Sequence, residues 1–406
     1  MVQGNREFIS LMALLMSLVA LTIDAMLPAL SQIGDDLNVA NPNDIQLVVS
    51  MVFFGMAMGL MLYGPISDSY GRKKAIYLGI GIFLIGSLIS SLSTSFTVML
   101  IGRVVQGFGA AACRVVTLAM IRDNFSGREM GRVMSLIMVI FIMVPALAPS
   151  LGQLVLLVAE WRVIFWMIFI LALAGLLWLY FRQEETLSEE DRIPFSLKNI
   201  TSGIRETLKN PFSRGYTIAS GLMFGAFVGY LSTAQQILQV QYQLGELFSL
   251  YFGCLALAIG CSSFVNSRLV MRFHMGTLCM GSLIALCLIS LGFYGYIEFF
   301  LEPSLDVNVV AQPTLLALMV YLAAVFFCFG ILFGNFNTLA LNPLGHIAGV
   351  ATSVISSVQT LLSVAIGGLI GHYYNGTIQP LVFGFLACGV VTLGITTYLH
   401  VKSSDA

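Results

Sequence analysis

Charged residues are scarce in this chain: only 10% of its 406 residues are Asp, Glu, Lys or Arg, whereas 58% are hydrophobic. A water-soluble domain carries roughly 25% charged residues, so this chain has too little polar surface to face water on all sides. The composition excludes an ordinary soluble globular protein. It indicates a protein whose solvent is the lipid bilayer.

Sequence signatures of catalysis and metal binding are also missing. The chain has no glycine-rich phosphate loop, no nucleophile motif and no Cys-x-x-Cys pair among its seven cysteines. Its four histidines form no cluster, and we expect no appended soluble domain. We therefore expect neither an enzyme nor a signalling receptor, and no cofactor, metal or nucleic-acid partner.

Continuous apolar runs of about twenty residues dominate instead. Transmembrane barrel strands would alternate apolar and polar residues, so these runs indicate helices that span a bilayer. The sequence thus predicts an all-α polytopic membrane protein with twelve transmembrane helices in two six-helix bundles. The predicted helices begin near Phe8, Asp44, Ala75, Thr97, Val133, Arg162, Gly215, Leu247, Gly276, Thr314, Val350 and Pro380.

The longest polar segment, Arg182 to Arg214, lies near the middle and divides the spans six and six. It predicts an N-terminal bundle over 1–181, a linker over 182–213 with a short amphipathic helix, and a C-terminal bundle over 214–406. The loop at 68–74 has a weak counterpart at 266–276. Two repeated halves with a site between them are a known transporter architecture.

Positive charge is distributed asymmetrically between the loops. Of the 19 Lys and Arg residues, Arg103 and Arg114 lie within a span and only Arg162 falls on the side opposite the termini. Because cytoplasmic loops carry the cationic excess, we expect both termini in the cytoplasm.

Three ionisable residues fall inside predicted spans: Asp24, Arg103 and Arg114. Such groups are costly in hydrocarbon and usually mark function. Asp24 and Arg103 are expected at similar depth, about 9 Å below the outer boundary, and Arg114 about 16 Å deeper on nearly the same face. Asp24 either exchanges a proton or forms a permanent ion pair with Arg103. Arg114 is expected to contact substrate, to extend its charge toward the cytoplasmic interface, or to anchor a gate.

Uncharged polar residues supply further candidates. Tyr230, Asn335 and Asn337 are predicted to line a substrate cavity. Gln106 and Gln359 either line this cavity too or bond neighbouring helices.

Several motifs resemble the major facilitator superfamily. Gly64-Pro-Ile-Ser-Asp68-x-x-Gly71-Arg72-Lys73 matches the signature loop between its second and third spans. Leu100-Ile-Gly-Arg103-Val-Val-Gln106-Gly107 resembles the fourth-span motif of its proton-driven exporters. Pro145-Ala-Leu-Ala-Pro149-Ser-Leu-Gly152 looks like the antiporter motif, which Ser150 and Gln153 make less glycine-rich.

The motifs Asp24-x-x-x-Pro28, Ile121-Arg122-Asp123 and Gly345-His346-Ile-Ala-Gly349 further resemble the Bcr/CflA (bicyclomycin/chloramphenicol resistance) subfamily. The resemblance implies that Arg103 takes part in proton transfer. It also implies a cytoplasmic gate in which Asp68 caps a helix end near the eleventh span and Arg72 pairs with Asp123. Pro145, Pro149 and Gly152 are expected to serve antiport.

The resemblance implies export of small amphipathic drugs or toxic compounds in exchange for protons, across a bacterial inner membrane. We expect a monomer that binds a small-molecule substrate, protons and lipid. The alternative is a proton-coupled transporter of a specific metabolite, such as a sugar or nucleoside.

Overall fold

A computed structural model describes residues 3–300 and 312–404, and within these ranges the chain is helical with no strand. Twelve of its helices have 20 to 30 residues, enough to cross about 30 Å of hydrocarbon. The helices are α1 (Gln3–Asp24), α2 (Leu30–Asp36), α3 (Leu47–Tyr70), α4 (Arg72–Ser91), α5 (Phe96–Asn124), α6 (Gly127–Leu156), α7 (Arg162–Arg182), α8 (Leu197–Lys209), α9 (Pro211–Ala234), α10 (Phe248–Leu269), α11 (Met275–Phe300), α12 (Leu315–Leu341), α13 (Ala348–His372) and α14 (Gln379–Ser404).

By length and composition, ten stretches of the described chain are long and apolar enough to cross a membrane. One of them, Leu315–His372, contains both α12 and α13. Among the described residues of α6, Met143–Leu156 forms an apolar stretch. The twelve long helices therefore correspond to the twelve predicted spans, and the predicted all-helical fold class is confirmed.

Polar residues define several helix starts between the apolar runs. The Ser95 and Thr314 hydroxyls accept backbone N–H groups of α5 and α12, and the Asn210 amide oxygen accepts two from α9. Such caps satisfy donors that a helix cannot satisfy within its first turn. The predicted amphipathic linker helix is confirmed as α8.

The helices form two compact units. The first comprises Met1–Glu206 with Ile347–Ser357, and the second comprises Thr207–His346 with Val358–Ala406. The sequence-based division into 1–181, 182–213 and 214–406 stays a prediction.

Within the first unit, glycines bring α3 and α5 into backbone contact. A Cβ atom on Gly55 would lie 2.0 Å from the Val104 carbonyl oxygen, and one on Gly107 would lie 2.0 Å from that of Val52. Only glycine fits at such distances, as in other close-packed membrane helices. This approach places the Arg103 side chain of α5 beside the start of α3.

An aromatic cluster fills the core of the second unit. Tyr230 of α9 stacks on Phe252 of α10, with ring centroids 5.9 Å apart, and meets Phe326 of α12 edge-on at 4.8 Å. Phe329 continues the cluster to Phe385 of α14. Offset and edge-on ring pairs stabilise a core beyond the burial of their area.

Candidate functional site

Arg103 is the centre of a buried hydrogen-bond network in the first unit. Its side chain is fully buried, and it donates to the Thr22 carbonyl of α1 at 2.8 Å and the Val48 carbonyl of α3 at 2.9 Å. A third bond, of 2.6 Å, goes to the amide oxygen of Gln106, whose amide nitrogen donates to the Ser87 hydroxyl of α4. One guanidinium thus connects α1, α3, α4 and α5.

The Thr22 carbonyl is available because α1 ends two residues later, and the last carbonyls of a helix lack partners within the helix.

Gln106 is fully buried, and its amide bonds Arg103 of its own helix and Ser87 of α4. It thus bonds a neighbouring helix, which is one of the two alternatives proposed from the sequence.

Asp24 is the last residue of α1, and its side chain is only 5% exposed. A turn and a short 3₁₀ segment, Leu27–Ala29, follow before α2 begins. Among the described residues, neither an ion pair nor a hydrogen bond reaches the Asp24 carboxyl group. The structure therefore does not form the ion pair considered between Asp24 and Arg103, because the guanidinium donates to neutral acceptors instead.

Gly152 of α6 packs directly against the chain beside Asp24. A Cβ atom there would lie 2.0 Å from the Ala25 carbonyl oxygen and 3.3 Å from the Pro28 ring. α6 runs through both Pro145 and Pro149, the latter buried. The antiporter-like motif thus places a side-chain-free surface against the end of α1.

Replacing Gly152 by Ala is expected to weaken this contact. The added methyl group would overlap the Ala25 carbonyl, so we expect a loss of about 1–3 kcal/mol in stability, the usual cost of overpacking. The measurement is the thermal unfolding midpoint of the detergent-purified protein. Gly81→Ala is the matched control, since a Cβ atom on Gly81 would meet nothing within 4 Å. Equal midpoints for the two variants would contradict the close approach.

A second charged cluster joins α3, α4 and α5, and we call it the Arg72 cluster: Arg72, Ser67, Asp68 and Asp123. The Arg72 Nε donates to the Asp123 carboxylate at 2.9 Å, while Nη1 donates to Asp68 and to the Ser67 hydroxyl. The Arg72–Asp123 pair implied by the family resemblance is therefore present. The observed partner of the Asp68 carboxylate is Arg72, four residues further on at the start of α4, rather than a helix end near α13.

Two glycines shape the chain around this cluster. Gly71 separates α3 from α4 with φ of +102°, a conformation that other residues rarely adopt. A Cβ atom on Gly64 would lie 2.7 Å from the Ser353 hydroxyl of α13, within the first unit.

The residues predicted to line a cavity in the second unit occupy different environments. Tyr230 is 1% exposed within the aromatic cluster, and Asn335 is 3% exposed. The Asn335 and Asn266 side-chain amides bond each other reciprocally at 3.0 and 3.3 Å. Asn337 is exposed, and its amide oxygen accepts from Gln359 at 2.9 Å. Both predicted asparagines of α12 thus bond neighbouring helices.

Arg114 lies on α5 and is half-buried. Among the described residues, no carboxylate pairs with it and no hydrogen bond is found to its side chain. It contrasts with Arg103 on the same helix, whose donors are occupied.

Sequence reasoning missed two sets of contacts. Glu185 and Thr186, which follow α7, bind the Arg72 cluster and the start of α4. Arg162 bonds Asp36 and the Ser93 carbonyl, which connects α7 to α2 and to the α4–α5 loop. For the second set of contacts, the available signal was that Arg162 is the only cation on its predicted side of the membrane.

Buried ionisable groups, glycine-mediated helix contacts and a charged loop cluster are together typical of polytopic membrane transporters. The sequence profile of the Major Facilitator Superfamily matches residues 12–368, and the chain belongs to that family. As a member it is a transporter rather than an enzyme.

Relatives carry related names. A Bacillus subtilis protein described as an uncharacterized MFS-type transporter, YdgK, is 30% identical over 89% of this chain and 87% of its own length. The "Bicyclomycin resistance protein homolog" of Haemophilus influenzae is 27% identical over 95% and 94%. The "Multidrug resistance protein MdtL" of Escherichia fergusonii is 28% identical over 91% and 90%. These names support the Bcr/CflA resemblance.

Among solved structures, the xylose transporter XylE of E. coli, in a partially occluded inward-open conformation, superposes with a TM-score of 0.70. It is 12% identical and the match covers 95% of each chain. The human organic anion transporter MFSD10 gives a TM-score of 0.64 at 15% identity, covering 98% of this chain and 100% of that one. At these identities the likeness establishes the fold alone.

Proposed function

We propose that the chain exports small amphipathic compounds in exchange for protons by alternating access of its two halves. The observation that carries this proposal is Asp24, a buried carboxyl group in a membrane helix, beside which the described residues place no cation and no hydrogen-bond donor. An ionised carboxylate in such surroundings is costly, and taking up a proton removes that cost.

The surroundings of Asp24 suit a coupling site. Thr22 of the same helical turn is bonded to the fixed Arg103 guanidinium, and the next carbonyl after Asp24 contacts Gly152. Movement of α6 against α1, or of α5 against α1, would therefore change the surroundings of the carboxyl group. The free energy of its protonation then depends on the conformation of the transporter, which coupling requires.

Substrate is proposed to bind in the first unit through Arg114, with Gln106 supporting the helix that presents it. In the second unit, Tyr230, Asn335 and Asn337 stay candidates for substrate contact. Arg114 is the strongest of these candidates, since no described residue pairs with it and an unpaired membrane cation is stabilised by water or by an acceptor group of a ligand. Names of relatives that refer to drug resistance favour amphipathic drugs as the substrate class.

We further propose that the protein works as a monomer in a bacterial inner membrane, with both termini cytoplasmic. The proton gradient supplies its energy, and no cofactor is required.

Everted membrane vesicles test the function. With an acidic interior imposed, addition of an exported substrate should release luminal protons and reduce ΔpH. We expect this response to bicyclomycin or another amphipathic antibiotic, and no response to D-xylose. A response to a sugar or nucleoside, with none to any antibiotic, would favour the metabolite transporter instead.

A further inference from the structure

The segment that follows α7 folds back onto the Arg72 cluster, and we call residues 183–193 the return segment. Its Ile193 amide donates to the Asp68 carbonyl at 3.1 Å, and the Lys73 ammonium group donates to the Gln183 carbonyl. Both ends of the segment are therefore hydrogen-bonded to the junction of α3 and α4.

Glu185 makes the central contacts of the return segment. One carboxylate oxygen accepts the Arg72 backbone N–H at 2.8 Å, and the other accepts that of Lys73 at 3.1 Å. The first oxygen also accepts the N–H groups of Thr186 and Leu187, at 3.0 and 3.2 Å. One half-buried carboxylate therefore fixes the first turn of α4 and its own loop simultaneously.

Thr186 adds a direct contact to the ion pair between Arg72 and Asp123. Its hydroxyl donates to the Asp123 Oδ2 atom at 3.1 Å, the same oxygen that Arg72 Nε contacts. The return segment thus holds both partners: Arg72 through its backbone and Asp123 through its carboxylate.

The geometry at Gly71 strengthens this connection. A Cβ atom on Gly71 would lie 2.6 Å from the Glu185 Oε2 atom, so the carboxylate occupies the space that a side chain would need. Carboxylates that accept backbone N–H groups at a helix start make strong, charge-assisted bonds.

We propose that Glu185 is a positioning residue of the cytoplasmic gate, which orients Arg72 toward Asp123 and so stabilises the arrangement in which Gly64 packs against Ser353; we call this arrangement the closed state. The proposal rests on alternating access as the proposed mode of transport. It assigns the return segment a direct part in the conformational cycle, beyond joining the two halves of the chain.

Removing the Glu185 charge releases the first turn of α4 from its acceptor. The backbone from which the Arg72 side chain extends is then held less firmly, and the closed state becomes less stable relative to the open one. Because a positioning residue acts through Arg72, its effect must disappear when Arg72 is absent.

Alkylation of one reporter cysteine measures gate opening without any transport. In a variant whose seven native cysteines are replaced by Ser, Ser353→Cys places a thiol beside Gly64, where the backbone of α3 buries it in the closed state. A membrane-impermeant maleimide is added to everted vesicles, and the alkylation rate is followed.

We expect Glu185→Gln to raise the alkylation rate roughly fivefold or more, the scale of typical conformational couplings. Glu184→Gln is the matched control, since this neighbouring glutamate is exposed, and its rate should equal that of the parent. Thr186→Val should raise the rate in the same direction, and Glu185→Asp should restore part of the protection. In an Arg72→Ala background, Glu185→Gln should add nothing.

Equal rates for Glu185→Gln and Glu184→Gln would overturn the proposal. A full, additive effect in the Arg72→Ala background would overturn it too, since Glu185 would then stabilise the fold independently of the gate. If Glu185→Gln does not fold, Thr186→Val alone decides. A chain that exports no drug would contradict the proposed function and leave the alkylation result valid.

Discussion

Arg103→Ala is expected to destabilise the protein by about 2–4 kcal/mol, because it leaves buried acceptors unsatisfied and opens a cavity. The variant removes donors from the Thr22 carbonyl, the Val48 carbonyl and the Gln106 amide at once. Thermal unfolding of the detergent-purified protein measures the loss. Arg103→Lys keeps the charge but cannot reach three acceptors in different directions, so its stability should lie between those of Arg103→Ala and the parent.

Arg114→Ala is the control on the same helix. This arginine is half-buried, and no partner for it is found among the described residues, so its removal should leave stability unchanged or raise it. A destabilisation as large as that of Arg103→Ala would show that membrane arginines stabilise this chain regardless of their hydrogen bonds. That outcome would contradict the assignment of Arg103 as the structural centre of the first unit.

Asp24→Asn is expected to abolish proton-coupled export while leaving a folded protein. Asparagine has nearly the same shape and stays neutral, so it fits the buried site but carries no exchangeable charge. In everted vesicles, the substrate-induced fall in ΔpH should drop to the background of vesicles that lack the protein. Exchange of labelled for unlabelled substrate, which needs no net proton movement, should persist.

Asp35→Asn makes the same chemical change at an exposed position in α2 and should leave the ΔpH response intact. If Asp24→Asn retains the full response, another group carries the proton. If both the response and the substrate exchange disappear, Asp24 serves substrate binding rather than coupling alone.

The positions of the helices could be predicted because apolar run length is a direct physical requirement of the bilayer. The predicted start at Arg162 coincides with the start of α7. α6 begins earlier than its predicted start at Val133, since its polar first turns, from Gly127, are helical but not apolar. The pairing of Arg72 with Asp123 followed from the motif resemblance and is present.

The partners of the buried polar groups could not be predicted in the same way. Arg103 bonds two backbone carbonyls, which every residue possesses and which no sequence pattern marks. Asn335 finds Asn266 on another helix, a pairing set by helix rotation. Glu185 is one acid among several in a polar run, and only the fold distinguishes it from Glu184.

The protonation state of Asp24 is the most direct test of the coupling mechanism. Infrared difference spectroscopy of the purified protein detects the carbonyl stretch of a protonated carboxyl group, and Asp24→Asn assigns that band. We predict a protonated Asp24 in the substrate-free protein near neutral pH, and loss of its band when substrate binds. An Asp24 that stays ionised both with and without substrate would contradict the mechanism.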